Sequence, residues 1–177
     1  LKAEHGVDNV FDFSLGNPNL EPPEKFRKVL NDTVISLAGG DHRYMSNIGY
    51  PHVRRSVAEY LRKEQRVEVT ENEVIMTCGA AGALNVILKA ILDPGDEVIL
   101  PVPYWVTYPE TIKLAGAVTK IVETDRSSGY KLTPAQLERA ITDRTAMLVL
   151  NSPSNPGGFT YTPDELRALA KVLEGTD

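Results

Sequence analysis

TAMLVLNSPSNPGG, residues 145–158, joins two kinds of sequence that favour different structures. Residues 146–150 are an apolar run of the kind found in buried strands, and eight residues that are all Asn, Ser, Pro or Gly follow it directly. A plain turn needs only one or two such residues. We therefore expect a loop that holds side chains rigidly at the carboxyl end of a core strand, which is where open α/β sheets bind their ligands.

Strands and helices alternate on the amino-terminal side of this stretch. The hydrophobic periodicity predicts further strands at EVIMTCG, EVILP and AVTKIV, residues 73–79, 97–101 and 117–122. It predicts helices at residues 22–38, 51–64, 80–92, 106–115, 133–141 and 162–174. Thr162 is the expected N-cap of the last helix, and Arg54 and Arg55 are expected on an exposed helix face or in ion pairs. The alternation predicts a mainly parallel α/β sheet covered on both faces.

Composition limits the classes of partner. The chain has 177 residues, 42% of them hydrophobic, and a formal net charge of −5 with interspersed signs, which disfavours nucleic acid and anionic membranes as partners. The single cysteine, Cys78, excludes an internal disulfide. His5, His42 and His52 lack metal-ligand spacing, so no metal site is predicted. We see no signal peptide or membrane-length apolar run, so the expected location is the cytoplasm.

Two loops besides the 151–158 loop have unusual compositions at predicted strand ends. In TCGAAGALN, the small residues Gly79, Ala80 and Ala81 leave the N–H groups at the start of a helix open to an anion such as phosphate. Tight packing of a strand against a helix is the alternative. In PVPYWVTYP, Trp105 is placed to stack on a flat ligand, with a core position as the alternative.

Asn155, in the third loop, offers an amide to a ligand oxygen, although an Asn in such a loop often only caps a turn. Because the carboxyl ends of parallel strands lie along one edge of a sheet, the three loops are expected to share one ligand. Neither a dinucleotide fingerprint nor a P-loop is present.

The order of six motifs resembles the class I and II aminotransferases, which are fold type I pyridoxal-phosphate enzymes. The motifs are FSLGNPN, RYMSNIGYPHVRRSVAEYL, TCGAAGALN, LDPGDEVILPVPYW, LAGA and NSPSNPGG. They extend over nearly the whole chain in the family's order and approximate spacing. The resemblance implies the large domain of that family, a three-layer α/β sandwich around a mainly parallel sheet.

The resemblance also implies a role for each loop in holding pyridoxal 5′-phosphate. Backbone N–H groups of the Gly79–Ala81 loop would hold the phosphate, Trp105 would stack on the pyridine ring, and Asn155 would hydrogen-bond the phenolic oxygen. We expect cis peptide bonds at Val102–Pro103 and Asn155–Pro156, where each strand must turn sharply.

Three more positions match the family pattern or depart from it. Tyr44 matches a tyrosine that reaches the phosphate of the neighbouring subunit, which implies a homodimer. Gly16 matches a glycine whose backbone meets the substrate carboxylate. Gly157 is a departure, because the family more often has Thr there, and this change is expected to loosen the loop without affecting Asn155.

Two groups that the family's chemistry needs have no match in this sequence. The family places its Schiff-base lysine and the carboxylate that pairs with the pyridinium nitrogen after the Asn-Pro loop, and this sequence extends 21 residues beyond Pro156. Four lysines are predicted on helices, and none of them matches the position of the family's Schiff-base lysine. They are Lys63, Lys89, Lys113 and Lys171. We therefore expect the N-terminal portion of an aminotransferase without a catalytic residue, with residues 1–24 in the small domain and residues 25–177 in the large one.

The predicted activity is the transfer of an amino group between an amino acid and a 2-oxo acid. Three alternatives stay open from the sequence. A lyase could use the same fold, a non-enzymatic regulator could carry an aminotransferase-like domain, and a nucleotide-binding α/β domain could lack pyridoxal chemistry. A winged helix before the domain would favour the regulator, and none is seen.

Overall fold

The chain forms two compact units in a computed structural model that describes residues 1–11, 16, 20–37 and 42–176. The units are Leu1–Met45 and Ser46–Asp177. In the first unit, α1 (Lys2–His5) precedes a short 3-10 turn, and α2 (Glu24–Ser36) forms within the predicted helix. The predicted domain boundary between residues 24 and 25 stays a prediction.

The second unit contains a parallel sheet with the strand order β2-β1-β3. The strands are β1 (Glu97–Pro101), β2 (Val118–Val122) and β3 (Thr145–Leu148). The central strand β1 is buried along its whole length, as expected for a parallel strand with neighbours on both sides and helices on both faces. These three strands and their parallel direction confirm the prediction from the alternating sequence.

Helices cover both faces of this sheet. They are α4 (Gly79–Ile91), α5 (Thr107–Ala115), α6 (Pro134–Ala140) and α7 (Pro163–Leu173), whereas α3 (Pro51–Gln65) packs on the turn at Glu71–Glu73. Val98 of β1 packs with Leu88 of α4 and Ile112 of α5 in one hydrophobic cluster. The cluster on the other face contains Ile99, Leu137 and Leu169. Because successive side chains of a strand point to opposite faces, this division confirms the three-layer architecture.

The sequence correctly predicts where α7 begins. The Thr162 hydroxyl accepts a hydrogen bond from the Glu165 N–H (3.2 Å), and the Glu165 carboxylate accepts one from the Thr162 N–H (2.7 Å). This reciprocal capping box satisfies two N–H groups that a helix start otherwise leaves unpaired. None of the helices in the described ranges is long and apolar enough to cross a membrane.

The strand predicted at residues 73–79 does not form. Glu71–Glu73 is instead a 3-10 turn, and no strand in the described part of the chain pairs with the segment after it. The Met76 N–H donates to the Ile48 carbonyl oxygen (3.1 Å). An apolar run with β-branched residues therefore does not become a strand here, because a strand requires a neighbour.

Arg54 is buried, so the expectation of an exposed or ion-paired side chain is wrong for this residue. Its side chain is 7% exposed, and Nη1 donates to the Glu71 carbonyl oxygen (2.8 Å). The face of α3 that carries Arg54 packs on the turn at Glu71, which removes the guanidinium from water. Arg55, by contrast, forms the expected ion pair, with 3.4 Å between Nη2 and Glu71 Oε1.

Candidate functional site

Residues from all three predicted loops line one cavity of about 840 Å³ in the second unit. Ala80 comes from the start of α4, Trp105 from the loop after β1, and Asn155 from the loop after β3. Ligand pockets for small molecules are typically about 300 to 1,000 Å³. The fold thus brings together three side chains that are far apart in the sequence, at the edge where the parallel strands end.

The start of α4 presents unpaired backbone donors. Gly79 has φ +70, a left-handed conformation that favours glycine, and its N–H donates to the Thr77 carbonyl oxygen (2.9 Å). The helix has no side-chain cap, and the N–H groups of Ala80 and Ala81 have no acceptor among the described residues. A helix start of this kind suits a phosphate, because the open N–H groups and the helix dipole both favour an anion. Of the three predicted donors, Ala80 and Ala81 are therefore the available ones.

Trp105 belongs to the wall of the cavity. It is half-buried and lies outside the two hydrophobic clusters that the described residues form. Tyr108 meets it edge to face, with 5.7 Å between the ring centroids and an interplanar angle of 87°. This contact holds the indole while leaving it accessible from the cavity. Burial raises the pKa of the Tyr108 phenol, so this group stays neutral near pH 7.

Hydrogen bonds within the chain brace the loop that carries Asn155. The Asn155 N–H donates to Asn151 Oδ1 (2.6 Å). The Ser154 N–H donates to the Phe159 carbonyl oxygen and the Gly158 N–H to the Ser154 carbonyl oxygen, each over 2.8 Å. The Asn155 side chain itself is exposed and lines the cavity. The rigid loop expected from the composition is therefore present, with its amide at the cavity.

The peptide bonds before the prolines of these loops agree with the prediction. Both Val102–Pro103 and Asn155–Pro156 are cis, as expected. Ser152–Pro153 is also cis, which was not predicted. All three bonds lie just beyond the carboxyl ends of β1 and β3.

Gly157 has a neighbour that explains the absence of a side chain. A Cβ at this position would lie 2.5 Å from Phe159 Cε1, which is too close without a shift of the ring, and 3.2 Å from Ser154 Oγ, which is a tight contact. The Phe159 ring is half-buried and packs edge to face with Tyr161, 6.1 Å between centroids. The ring of Phe159 therefore fills the space that a threonine side chain at residue 157 would need.

Two predicted site residues belong to the first unit. Gly16 and Tyr44 are both exposed, and their predicted roles stay predictions. The four lysines lie on helices, as expected, and none lines the cavity in the second unit. One cavity residue on each loop was not predicted from the sequence, namely Thr77, Tyr108 and Asn151. Two of them carried a signal, since Tyr108 follows Trp105 by about one helical turn and Asn151 opens the polar loop.

Comparisons with known proteins match nearly the whole chain. The profile described as aminotransferase class I and II matches residues 8–176. Aspartate aminotransferase of Bacillus sp. (strain YM-2) is 38% identical over 172 residues, which is 97% of this chain and 43% of that protein. The probable aspartate/prephenate aminotransferase of Thermus aquaticus is 44% identical over 167 residues, 94% of this chain and 43% of that protein.

A solved structure agrees in fold as well as in sequence. Aspartate aminotransferase from Thermus thermophilus with maleate superposes with a TM-score of 0.85 at 40% identity, over 92% of this chain and 42% of that one. The chain thus spans less than half the length of the relatives it matches. Since the family profile, the sequence identities and the fold all agree over nearly every residue present, the chain belongs to the class I and II aminotransferase family.

Proposed function

We propose that the complete protein is a pyridoxal 5′-phosphate-dependent aminotransferase, in which this chain supplies contacts to the phosphate, the ring face and the phenolic oxygen. The observation that carries the proposal is that Ala80, Trp105 and Asn155 all line the same cavity. The donor set suits this cofactor, because a helix start, an indole face and an amide match its phosphate, its flat ring and its phenol.

Each residue acts by binding and orienting. The N–H groups of Ala80 and Ala81 hold the phosphate, and Trp105 fixes the plane of the ring by stacking. The Asn155 amide donates a hydrogen bond to the phenolic oxygen, which favours the ionised form and sets the ring's rotation. When bound, the cofactor supplies an electron-withdrawing ring that stabilises negative charge at the α-carbon of the amino acid. No lysine among the described residues of this chain lines the cavity, and no lysine of this chain is proposed to move the α-proton.

The names of the relatives suggest the substrates. Two of them are aspartate or aspartate/prephenate aminotransferases, so we propose aspartate as the amino donor and a 2-oxo acid as the acceptor. Gly16 contacts the substrate carboxylate through its backbone, as in the family pattern. The protein acts as a cytoplasmic homodimer, in which Tyr44 reaches the cofactor phosphate of the partner subunit.

A test of the proposal combines the complete protein with pyridoxal phosphate, aspartate and either 2-oxoglutarate or prephenate. We expect formation of the matching new amino acid with oxaloacetate as the other product. Release of free ammonia without amino acid product would favour a lyase, and cofactor binding without turnover would favour a regulator. The absence of both binding and turnover would contradict the proposal.

An experiment on the 177-residue chain alone tests cofactor binding separately from catalysis. We expect the chain to bind pyridoxal phosphate weakly and reversibly, without turnover, and Trp105→Ala to weaken that binding. Borohydride reduction followed by peptide mass analysis provides the direct measurement. A stoichiometric phosphopyridoxyl lysine within this chain, together with transaminase turnover, would show that the catalytic lysine has been assigned to the wrong part of the protein.

Subunit exchange tests the proposed dimer. A Tyr44→Phe variant of the complete protein is mixed with a variant that lacks the catalytic lysine, under conditions of proven exchange. If Tyr44 serves the partner's site, hybrid dimers contain one intact site and activity is recovered. No recovery would contradict the shared site.

A further inference from the structure

The loop between Asn151 and Phe159 has few backbone donors with which to hold its shape. Pro153 and Pro156 have no N–H. The N–H groups of Ser154 and Gly158 donate to the Phe159 and Ser154 carbonyl oxygens within the loop. The N–H of Asn155 donates instead to the side chain of Asn151 (2.6 Å), and both of these residues line the cavity. This bond fixes the backbone of Asn155.

Asn151 connects the end of the sheet to the loop. It lies just beyond the last residues of β3, where the Val149 N–H still donates to the Ile99 carbonyl oxygen of β1 (3.0 Å). The side chain of Asn151 is half-buried and also lines a narrow second cavity with Tyr104 and Tyr161. Asn155, in contrast, is exposed. The more buried residue therefore holds the more exposed one.

We propose that Asn151 is a positioning residue that acts on the cofactor through Asn155, a proposal that rests on the function proposed above. Its Oδ1 atom orients the Asn155 backbone so that the Asn155 amide reaches the phenolic oxygen of the cofactor. The Asn155 amide projects from this backbone, and a hydrogen bond that fixes the backbone narrows the positions that the amide can reach. The property of residue 151 that matters for this role is thus its acceptor oxygen, and not the size of its side chain alone.

Two other roles make different predictions. If Asn151 contacted the cofactor directly, its removal and the removal of Asn155 would weaken binding independently. If Asn151 only stabilised the fold, its removal would lower the melting temperature without changing what the Asn155 amide contributes. A double-mutant cycle distinguishes these roles, because residues that act as a unit show non-additive effects.

The experiment measures binding of pyridoxine 5′-phosphate to the complete apoprotein. This probe has the phenol and phosphate but no aldehyde, so it binds without a covalent bond to lysine. Asn155→Ala is introduced into the wild type, into Asn151→Leu, which lacks the acceptor at similar size, and into Asn151→Asp, which retains one. The affinities with and without Asn155→Ala are compared within each background. Because both proteins of a pair have the same residue 151, the effect of the Asp charge cancels in the ratio of their affinities. Melting temperatures establish that every variant is folded.

We expect Asn155→Ala to weaken probe binding about two- to tenfold in the wild type, the range for one hydrogen bond. The loss should be similar in the Asn151→Asp background and absent in the Asn151→Leu background. The pH at which the bound phenol ionises, followed by absorbance, should rise in Asn151→Leu and not rise further in the double variant. If Asn151→Leu does not fold, Asn151→Ala provides the same comparison.

An unchanged effect of Asn155→Ala in the Asn151→Leu background would overturn the inference and leave the proposed function intact. Loss of the Asn155 effect in both backgrounds would overturn it as well, because the acceptor would not matter. No binding of the probe by the wild type would instead refute the cofactor site on which both proposals rest. No effect of Asn155→Ala in a wild type that binds would remove the assigned role of Asn155, and the inference with it.

Discussion

The two ends of the central strand β1 differ in how their polar groups are satisfied. At the amino end, Glu97 is 6% exposed, and its carboxylate accepts hydrogen bonds from the Thr142 hydroxyl (2.7 Å), Lys120 Nζ (3.2 Å) and Arg144 Nη2 (2.7 Å). These partners come from β2 and from the segment before β3, so both neighbouring strands are tied to the centre. Every partner lies within the chain.

At the carboxyl end of β1, polar groups instead face a cavity. The N–H groups of Ala80 and Ala81 lack acceptors among the described residues, and the Asn155 side chain is exposed. Polar groups that pair within the chain hold the strands together, whereas unpaired groups at a cavity can bind a ligand. The difference indicates that the amino end serves stability and the carboxyl end serves binding, and the following changes test this division.

The largest effect on cofactor binding is expected when a side chain is added at Gly157, in the loop at the carboxyl end. Gly157→Thr places a Cβ within 2.5 Å of the Phe159 ring, and overpacking of this kind costs about 1–3 kcal/mol. Displacement of the loop should weaken cofactor binding roughly fivefold to a hundredfold in a titration of the complete apoprotein. The double variant Gly157→Thr/Phe159→Ala should recover most of the affinity, since the ring is removed. Wild-type affinity in the single variant would contradict the tight packing.

A smaller effect on cofactor binding is expected when Trp105, in the wall of the cavity, is replaced. Trp105→Ala removes the stacking face, and aromatic contacts contribute about 0.5–1.5 kcal/mol beyond their buried area, so cofactor affinity should fall roughly two- to tenfold. Tyr60→Ala is the matched control, because this exposed aromatic lies on α3 and outside the cavity lining. Equal losses in the two variants would show that the effect does not come from stacking.

The smallest effect on cofactor binding is expected at the amino end, where the titration of Glu97 changes the stability of the fold with pH instead. The Thr142 hydroxyl, and then Lys120 and Arg144, hold the pKa of Glu97 at about 2, below its ordinary value of 4.5. The folded state therefore favours the ionised carboxylate, and its contribution is complete above pH 4.5 and is lost as the pH falls toward 2. Cofactor binding at pH 7 should not depend on this titration.

The measurement compares melting temperatures of the complete apoprotein and its Glu97→Gln variant at a series of pH values. The advantage of the wild type should be constant above pH 4.5 and should shrink below it. A constant difference down to pH 2.5 would show that the ionised carboxylate does not contribute to stability.

Local patterns in the sequence were sufficient to predict most of the fold. The apolar runs that became β1, β2 and β3, and the helical spacing that became α3 to α7, each depend on neighbours a few residues apart. The same holds for the capping box that begins α7 at Thr162. For the site, the rule that parallel strands end along one edge of a sheet led to the expectation that the three loops share one ligand, and Ala80, Trp105 and Asn155 do line one cavity.

Contacts between distant segments decided the rest. Residues 73–79 have the composition of a strand but no neighbour to pair with among the described strands, and Arg54 is polar but is buried by the turn at Glu71. The expectation that Gly157 loosens its loop took no account of Phe159, whose ring occupies the adjacent space. Sequence patterns determine which structures a segment favours, whereas pairing, burial and occupied space depend on what packs against it, and only the folded chain sets these.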